Sequence, residues 1–210
     1  MSHIFDWFFS QYQDTPTHLF VLELIGVFFG FLSVWYAKQE NILVYPTGIV
    51  STAIFVYILF VYGLLGDMLI NAYYFIMSIY GWFYWTKKDA NNQEMPITKT
   101  TKKEHVWSLF IFTLTILFVV AVYMYDGKFN TWAAYVDTLT TGIFFVGMWL
   151  MAKKKLENWV YWIIGDIISV PLYFYKGLMF TSFQYLLFTI IAIYGYKAWK
   201  KSLSNNRQIA

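Results

Sequence analysis

"NAYYFIMSIYGWFYWTKK", residues 71–88, changes character twice along its length. One amide leads into apolar sequence, aromatics crowd at Trp82-Phe83-Tyr84-Trp85, and Lys87 and Lys88 close it. Rings followed by lysines mark the edge of a bilayer, where amphipathic side chains settle at the headgroups and ammonium groups reach water. With the residues just before it, the stretch makes a span, Met68–Thr86, near the roughly 20 residues needed to cross a hydrocarbon core. Trp85, Lys87 and Lys88 read as its anchor, Asn71 as a polar group in its other half, and Trp82 falls between the two.

The rest of the chain has the same nature. It has 210 residues, is 59% hydrophobic and is only 13% charged, against roughly a quarter charged in soluble domains. Six more apolar runs are long enough to span: Leu19–Ala37, Ile42–Gly63, Val106–Tyr125, Trp132–Ala152, Trp159–Tyr175 and Met179–Ala198. Alternating strand patterns are absent, so the expected fold is an all-α integral membrane protein with seven transmembrane helices. The opening "IFDWFFSQYQ" is aromatic but too short to cross, and reads as an interfacial segment within residues 1–18. It lacks the basic start and small-residue cleavage pattern of a removable signal peptide.

Several function classes drop out. A net charge of +3, with the lysines beside apolar runs, does not argue for nucleic acid. There is no cysteine, so no disulfide, thiolate metal site or thiol catalysis. His3, His18 and His105 are widely separated, and no phosphate-cradling G-x-x-x-x-G-K-[ST] loop occurs. No metal, cofactor or enzymatic chemistry is expected.

Seven spans put the termini on opposite sides. One side receives Lys38, lysines 87, 88, 99, 102 and 103, then 153–155, and the tail's Lys197, Lys200, Lys201 and Arg207, thirteen of the fifteen basic residues. Only Lys128 and Lys176 fall opposite. The positive-inside rule then places the N-terminus outside and the C-terminus in the cytoplasm. The polar 87–105 stretch reads as a cytoplasmic connector.

The chain also repeats itself. "WYAKQENILVYPTG" from Trp35 parallels "WLMAKKKLENWVYWIIG" from Trp149, sharing an Ala-Lys, a Glu-Asn and a trailing Gly. A shift of 114 pairs Gly63 with Gly177, Gly81 with Gly195, Trp85 with Trp199 and Glu23 with Asp137. The expected organisation is 3+1+3: a three-helix bundle over 19–86, a linker helix over 106–125, a second bundle over 132–198, and a tail over 199–210. Parallel repeats of this kind occur in transporters that bind substrate near the midplane.

Polar groups within a span need a partner, water or a task. Trp159, Trp162, Asp166, Ser169 and Tyr173 step by three and four, which is one helix face. Asn71, Phe75, Ser78, Trp82 and Trp85 form another, and Gln184 stands almost where Asn71 does in the repeat. Aromatics with a few hydrogen-bonding groups suit a flat polar ligand. Asn71 and Gln184 equally suit interhelical hydrogen bonds. Asp166, a lone carboxylate deep in a span, is the leading functional candidate. Glu23 and Asp137, near the external span ends, suit an entrance that concentrates cations. Pro46 and Pro171 each interrupt a span as a candidate bend.

"NAYYFIMSIYGWFYW", "LENWVYWIIGDIISVPLYFYKGL" and "QYLLFTIIAIYGYKAW" resemble the PnuC family of vitamin-precursor transporters, over about Leu19 to Lys201. The resemblance implies two three-helix bundles about a linker, similar to the SWEET sugar transporters. It further implies facilitated diffusion of nicotinamide riboside across a bacterial inner membrane, trapping by cytosolic phosphorylation, and a homotrimer. Closely similar transporters are associated with thiamine. Both vitamins are flat cations that aromatic faces attract, and both suit Asp166, so the substrate stays open between them. On this reading Trp162 and Tyr173 flank the cationic ring, with Trp159 and Trp82 as further aromatic contacts. Asn71 and Gln184 contact the carboxamide or ribose, and Asp166 binds hydroxyls or balances charge. Proton coupling through Asp166 and a non-transporting membrane adaptor are the alternatives.

Overall fold

A computed structural model describes residues 16–88, 92, 94–125, 127, 129–175 and 179–209. The opening aromatic segment, Lys128 and Lys176 lie outside the described residues. The described chain is all-α: α1 (Thr17–Lys38), α2 (Val44–Val61), α3 (Leu65–Thr86), α4 (Lys102–Tyr125), α5 (Trp132–Ala152), α6 (Asn158–Tyr175) and α7 (Met179–Ile209). Among the described residues, α1, α2, α4 and α5 are each long and apolar enough to cross a membrane by length and composition. Helices α3 and α6 carry tyrosine, tryptophan, amide and acid residues instead.

Local chemistry sets the helix ends. Thr131 caps α5 by accepting from the Ala134 amide at 3.2 Å. Thr101 and Glu104 form a reciprocal capping box at α4: the Glu104 carboxylate accepts from the Thr101 amide at 2.9 Å, and the Thr101 hydroxyl accepts from the Glu104 amide at 3.3 Å. Just past α1 and α5 the backbone turns left-handed at Glu40 (φ 57°) and Lys154 (φ 54°). Pro46 is not the bend that the sequence suggested. It occupies the first turn of α2, where its missing N–H has no intrahelical partner to lose. Pro171 does lie inside α6.

The helix boundaries repeat. A shift of 114 residues carries Lys38 to Ala152, Val44 to Asn158, Val61 to Tyr175 and Leu65 to Met179. Helices α1, α2 and α3 pack in sequence, as do α5, α6 and α7, while α4 packs on α5. Across the join α1 meets α7 and α3 meets α5, a pairing that the same shift maps onto itself. Side chains repeat it in detail. The Trp85 indole donates to the Met151 carbonyl at 3.3 Å, and the Trp199 indole to the Ala37 carbonyl at 2.9 Å. Reciprocal contacts of this kind are what a two-fold relation produces. Gly81 and Gly195 complete the correspondence, because each lets a ring approach α3 or α7: Tyr45 at Gly81, Trp159 at Gly195. The Glu-Asn pair shared in sequence does not superpose, since 114 residues carry Glu40-Asn41 to Lys154-Lys155.

Trp85 therefore differs from its sequence reading as a surface anchor, and Trp199 shares its burial. They are 3% and 1% exposed and belong to the core cluster with Tyr45, Met151, Trp159 and Ile97. Lys87 and Lys88 are exposed, as anchors are. The connector is also more ordered than a plain linker. Its Thr98 amide donates to the Lys154 carbonyl at 3.1 Å, its Thr98 carbonyl accepts from the Leu156 amide at 2.9 Å, and Ile97 is buried in that core. The α1–α2, α3–α4 and α5–α6 connections thus meet at one end of the molecule, here called the lysine-rich end.

Candidate functional site

A cavity of about 250 Å³ lies between the two helix sets, directly against the Trp85–Trp199 core. Its two walls are built from equivalent positions yet differ in chemistry. On the α1–α3 side stand Gly30, Gly48, Thr52 and Ser78; 114 residues on, the opposite side presents Phe144, Trp162, Asp166 and Ala192. The first half supplies space and hydroxyls where the second supplies rings and a carboxylate.

Three hydroxyls of this wall are already committed. Ser33 donates to the Val44 carbonyl, Ser51 to the Gly26 carbonyl and Thr52 to the Gly48 carbonyl, at 2.8, 2.8 and 2.7 Å. Each hydroxyl has one hydrogen to give, so what remains on these three is oxygen lone pairs. They accept hydrogen bonds, and Ser78 adds a fourth hydroxyl to the wall.

The opposite wall is a run of stacked rings. Phe144 stacks on Trp162 at 5.4 Å and 28°, and on Tyr185 at 5.9 Å and 10°; Tyr185 in turn stacks on Tyr173 at 5.0 Å. Gly165 allows Phe144 this position, because a methyl there would overlap its ring. Asp166 follows on α6 at 3% exposure, with no hydrogen bond or ion pair among the described residues. Tyr74 and Tyr185 line the cavity together with it. Trp159, also on the wall, keeps a buried indole N–H with no partner among the described residues. The arrangement combines π faces, one carboxylate and hydrogen-bond acceptors. It suits a flat cation that carries donors.

Of the residues singled out in sequence, Ser78, Trp159, Trp162 and Asp166 line this cavity. Tyr173 stands behind the wall, braced on Tyr185. Asn71 donates from its amide to the Asp67 carbonyl one turn back at 3.0 Å and is not on the wall. Trp82 is 41% exposed, and Gln184 is not on the wall either. Tyr185, not Gln184, is the true counterpart of Asn71, since 71 shifted by 114 is 185. Gln184 is one residue off, a rotation of about 100° on a helix with 3.6 residues per turn. Phe144, Tyr185, Tyr74 and Phe188 were missed by sequence reasoning. The repeat held a signal for one of them, since Tyr185 stands 114 after Asn71.

Asp137 lines a second cavity, of about 670 Å³, among α3, α4 and α5, with Asp67 and Tyr123. The Tyr123 hydroxyl donates to the Asp137 carboxylate. Glu23 lies on α1, half-buried, and lines neither cavity.

Apolar helices around an aromatic and acidic cavity, with matched helix sets on either side, describe a multi-pass membrane transporter for a small molecule. Residues 20–201 match the nicotinamide mononucleotide transporter family, and the chain belongs to that family. Among characterised relatives, the nicotinamide riboside transporter PnuC of Escherichia coli (strain K12) is 26% identical over 208 residues, covering 86% of this chain and 85% of its own. PnuC of Haemophilus influenzae is 27% identical over 195 residues, covering 90% and 83%. The riboflavin/roseoflavin transporter RibM of Streptomyces davaonensis is 20% identical over 187 residues, covering 87% and 85%. The crystal structure of the vitamin B3 transporter PnuC shares the fold, with a TM-score of 0.66 over 97% of this chain and 88% of that one, at 19% identity.

Proposed function

We propose that the protein is a uniporter for nicotinamide riboside. The observation that carries this reading is Asp166, a buried carboxylate on an aromatic cavity wall with no hydrogen bond or ion pair among the described residues. A charge in that position is costly unless it is neutralised or paired, and a bound pyridinium supplies the pair. Trp162 and its stack attract the ring face at about 0.5–2 kcal/mol per contact. The carboxamide and ribose hydroxyls donate toward Asp166 and the acceptor wall, and the Trp159 N–H finds an oxygen acceptor.

Size supports the choice. The cavity of about 250 Å³ is just under the roughly 300–1,000 Å³ usual for ligand pockets. That space suits one heteroaromatic ring with a sugar-sized group better than the three fused rings of riboflavin. Thiamine, with its own cationic ring, is the competitor to exclude.

The proposed cycle is alternating access by rocking of two parallel three-helix bundles, α1–α3 and α5–α7, with α4 as linker, as in SWEET-like transporters. The reciprocal Trp85 and Trp199 bonds support it. The lysine-rich end faces the cytoplasm by the positive-inside rule, in a bacterial inner membrane, with the N-terminus outside. Asp67 and Asp137 give the second cavity acceptors for cationic solutes at the external entrance, with Glu23 as the equivalent acid of the first bundle. Transport runs down the gradient, and phosphorylation of the riboside inside the cell maintains it. A homotrimer completes the reading, to be checked by mass measurement in detergent.

Counterflow in proteoliposomes tests the substrate. Exchange of labelled nicotinamide riboside, uncompeted by excess thiamine or riboflavin and indifferent to an imposed pH gradient, is the expected result. Exchange of thiamine alone overturns the substrate, and dependence on the pH gradient overturns the uniport.

A further inference from the structure

Lys154 is a buried cation outside the ligand cavity with three partners. It is 2% exposed; its ammonium lies 3.1 Å from Glu40 Oε1, 2.9 Å from the Met95 carbonyl and 4.6 Å from the centroid of the Trp85 ring. The second Glu40 oxygen accepts from the Ser202 hydroxyl at 3.2 Å. Glu40 and Lys154 are 114 residues apart, share a left-handed backbone, and touch each other. Two equivalent positions that touch lie on the relation that exchanges the helix sets, so the pair ties one set to the other.

The connector strap has one allegiance. Thr98 bonds to Lys154 and Leu156, Met95 to Lys154, and both the amide and the hydroxyl of Thr100 donate to Glu157 at 2.8 and 2.7 Å. Every one of these partners lies in the α5–α6 connection, so the strap travels with the second helix set. Its Ile97 side chain, 1% exposed, nevertheless packs in the same cluster as Ala37, Tyr45 and Trp85 of the first set. That cluster includes Ala37, Tyr45, Met151 and Trp159 from the cavity wall. The strap and the ion pair are therefore the seal over this end of the cavity.

We propose that Glu40 and Lys154 form the latch of the lysine-rich gate, holding the Ile97 strap against the first helix set until the cavity opens on that side. Among the described residues the other hydrogen bonds across this seal run from Tyr45, Trp85 and Trp199 to main-chain carbonyls, and from the Ser202 hydroxyl to Glu40 itself. The ion pair adds the charge-assisted bond, and with the Glu40 side chain 27% exposed it is the tie that water can replace. The proposal takes from the transport reading only that this end must open.

The absence of cysteine makes accessibility the test, with no ligand involved, so that its outcome is independent of the substrate. Ser78→Cys places a thiol on the cavity wall. Sealed vesicles that expose the lysine-rich end, verified by labelling of Lys99→Cys, receive a membrane-impermeant maleimide. Labelling of Ser78→Cys is expected to be slow in the otherwise unchanged chain, and at least fivefold faster with Glu40→Gln or Lys154→Met added. A smaller change in both backgrounds overturns the latch. Should Lys154→Met fail to fold, Glu40→Gln, at a partly exposed site, decides the matter alone.

Discussion

The rings of Trp85 and Trp199 meet with centroids 5.7 Å apart, although 114 residues separate them in the chain. Each is edge-on to the aromatic residue of the preceding helix in its own set: Tyr45 to Trp85 at 5.1 Å and 89°, Trp159 to Trp199 at 5.6 Å and 90°. Four rings thus close one end of the cavity, and two of them, Tyr45 and Trp159, are also on its wall.

The two indole bonds are not equal in consequence. The Met151 carbonyl receives the Trp85 indole and also the Tyr45 hydroxyl, at 3.5 Å; the Ala37 carbonyl has no second side-chain donor among the described residues. Trp199→Phe is expected to destabilise by about 0.5–1.5 kcal/mol, the net worth of one hydrogen bond, since the Glu40 amide still donates to the Ala37 carbonyl, and Trp85→Phe by less. Thermal unfolding in detergent ranks them, and the reverse order would contradict the bonding described here.

Asp166→Ala removes the cavity's one carboxylate. A hydrogen bond to a charged group is worth roughly 1.5–3 kcal/mol, so riboside affinity by calorimetry should fall by a factor of about 10–100. Asp166→Asn keeps an acceptor and loses the charge, and should fall between the two. Unchanged binding in both variants would remove Asp166 from the site.

Loss of the π face is a milder change. Trp162→Ala should weaken binding of the cationic riboside by about 0.5–2 kcal/mol, the range for one cation–π contact. It should affect uncharged nicotinamide less. Equal losses for the two ligands would mean that Trp162 supplies area alone.

Gly195→Ala tests the coupling between core and cavity. A methyl there would lie 2.6 Å from the Trp159 ring, so the indole must move. Overpacking of this kind costs about 1–3 kcal/mol, and because Trp159 is on the wall, affinity should fall together with melting temperature.

Glu157 is the fastener of the strap through both Thr100 donors. Glu157→Ala should expose the connector, and trypsin should cut at Lys99 several-fold faster than in the unchanged chain. Identical cleavage would show that Ile97 and Thr98 hold the strap unaided.

Much of this architecture was legible beforehand. The apolar runs and their lysine flanks located every helix, and the run Trp132–Ala152 was read to the residue. Helix α7 runs on to Ile209, past the expected end at Ala198, because a helix need not stop where its apolar stretch does. The three-and-four spacing of Trp159, Trp162 and Asp166 put three wall residues on one face. The same logic did not serve Asn71, Trp82 and Gln184. Their helices share a face with the site's helices only at particular rotations, and spacing within one helix says nothing about the angle at which it meets the next.

The sequence by itself determined the solvent and the number of the helices, and it marked a 114-residue correspondence and Asp166 as a carboxylate within a span. Each of these follows from composition or from periodicity along one chain segment. Only the tertiary structure decided that Trp85 and Trp199 are core and not belt, that Gly30 and Gly48 face Phe144 and Trp162, and that Lys154 is buried against Glu40. Those facts depend on which groups 114 residues apart are brought together. An aromatic ring followed by lysines has the same pattern whether lipid headgroups or a second indole receives it, and the packing partner alone distinguishes them.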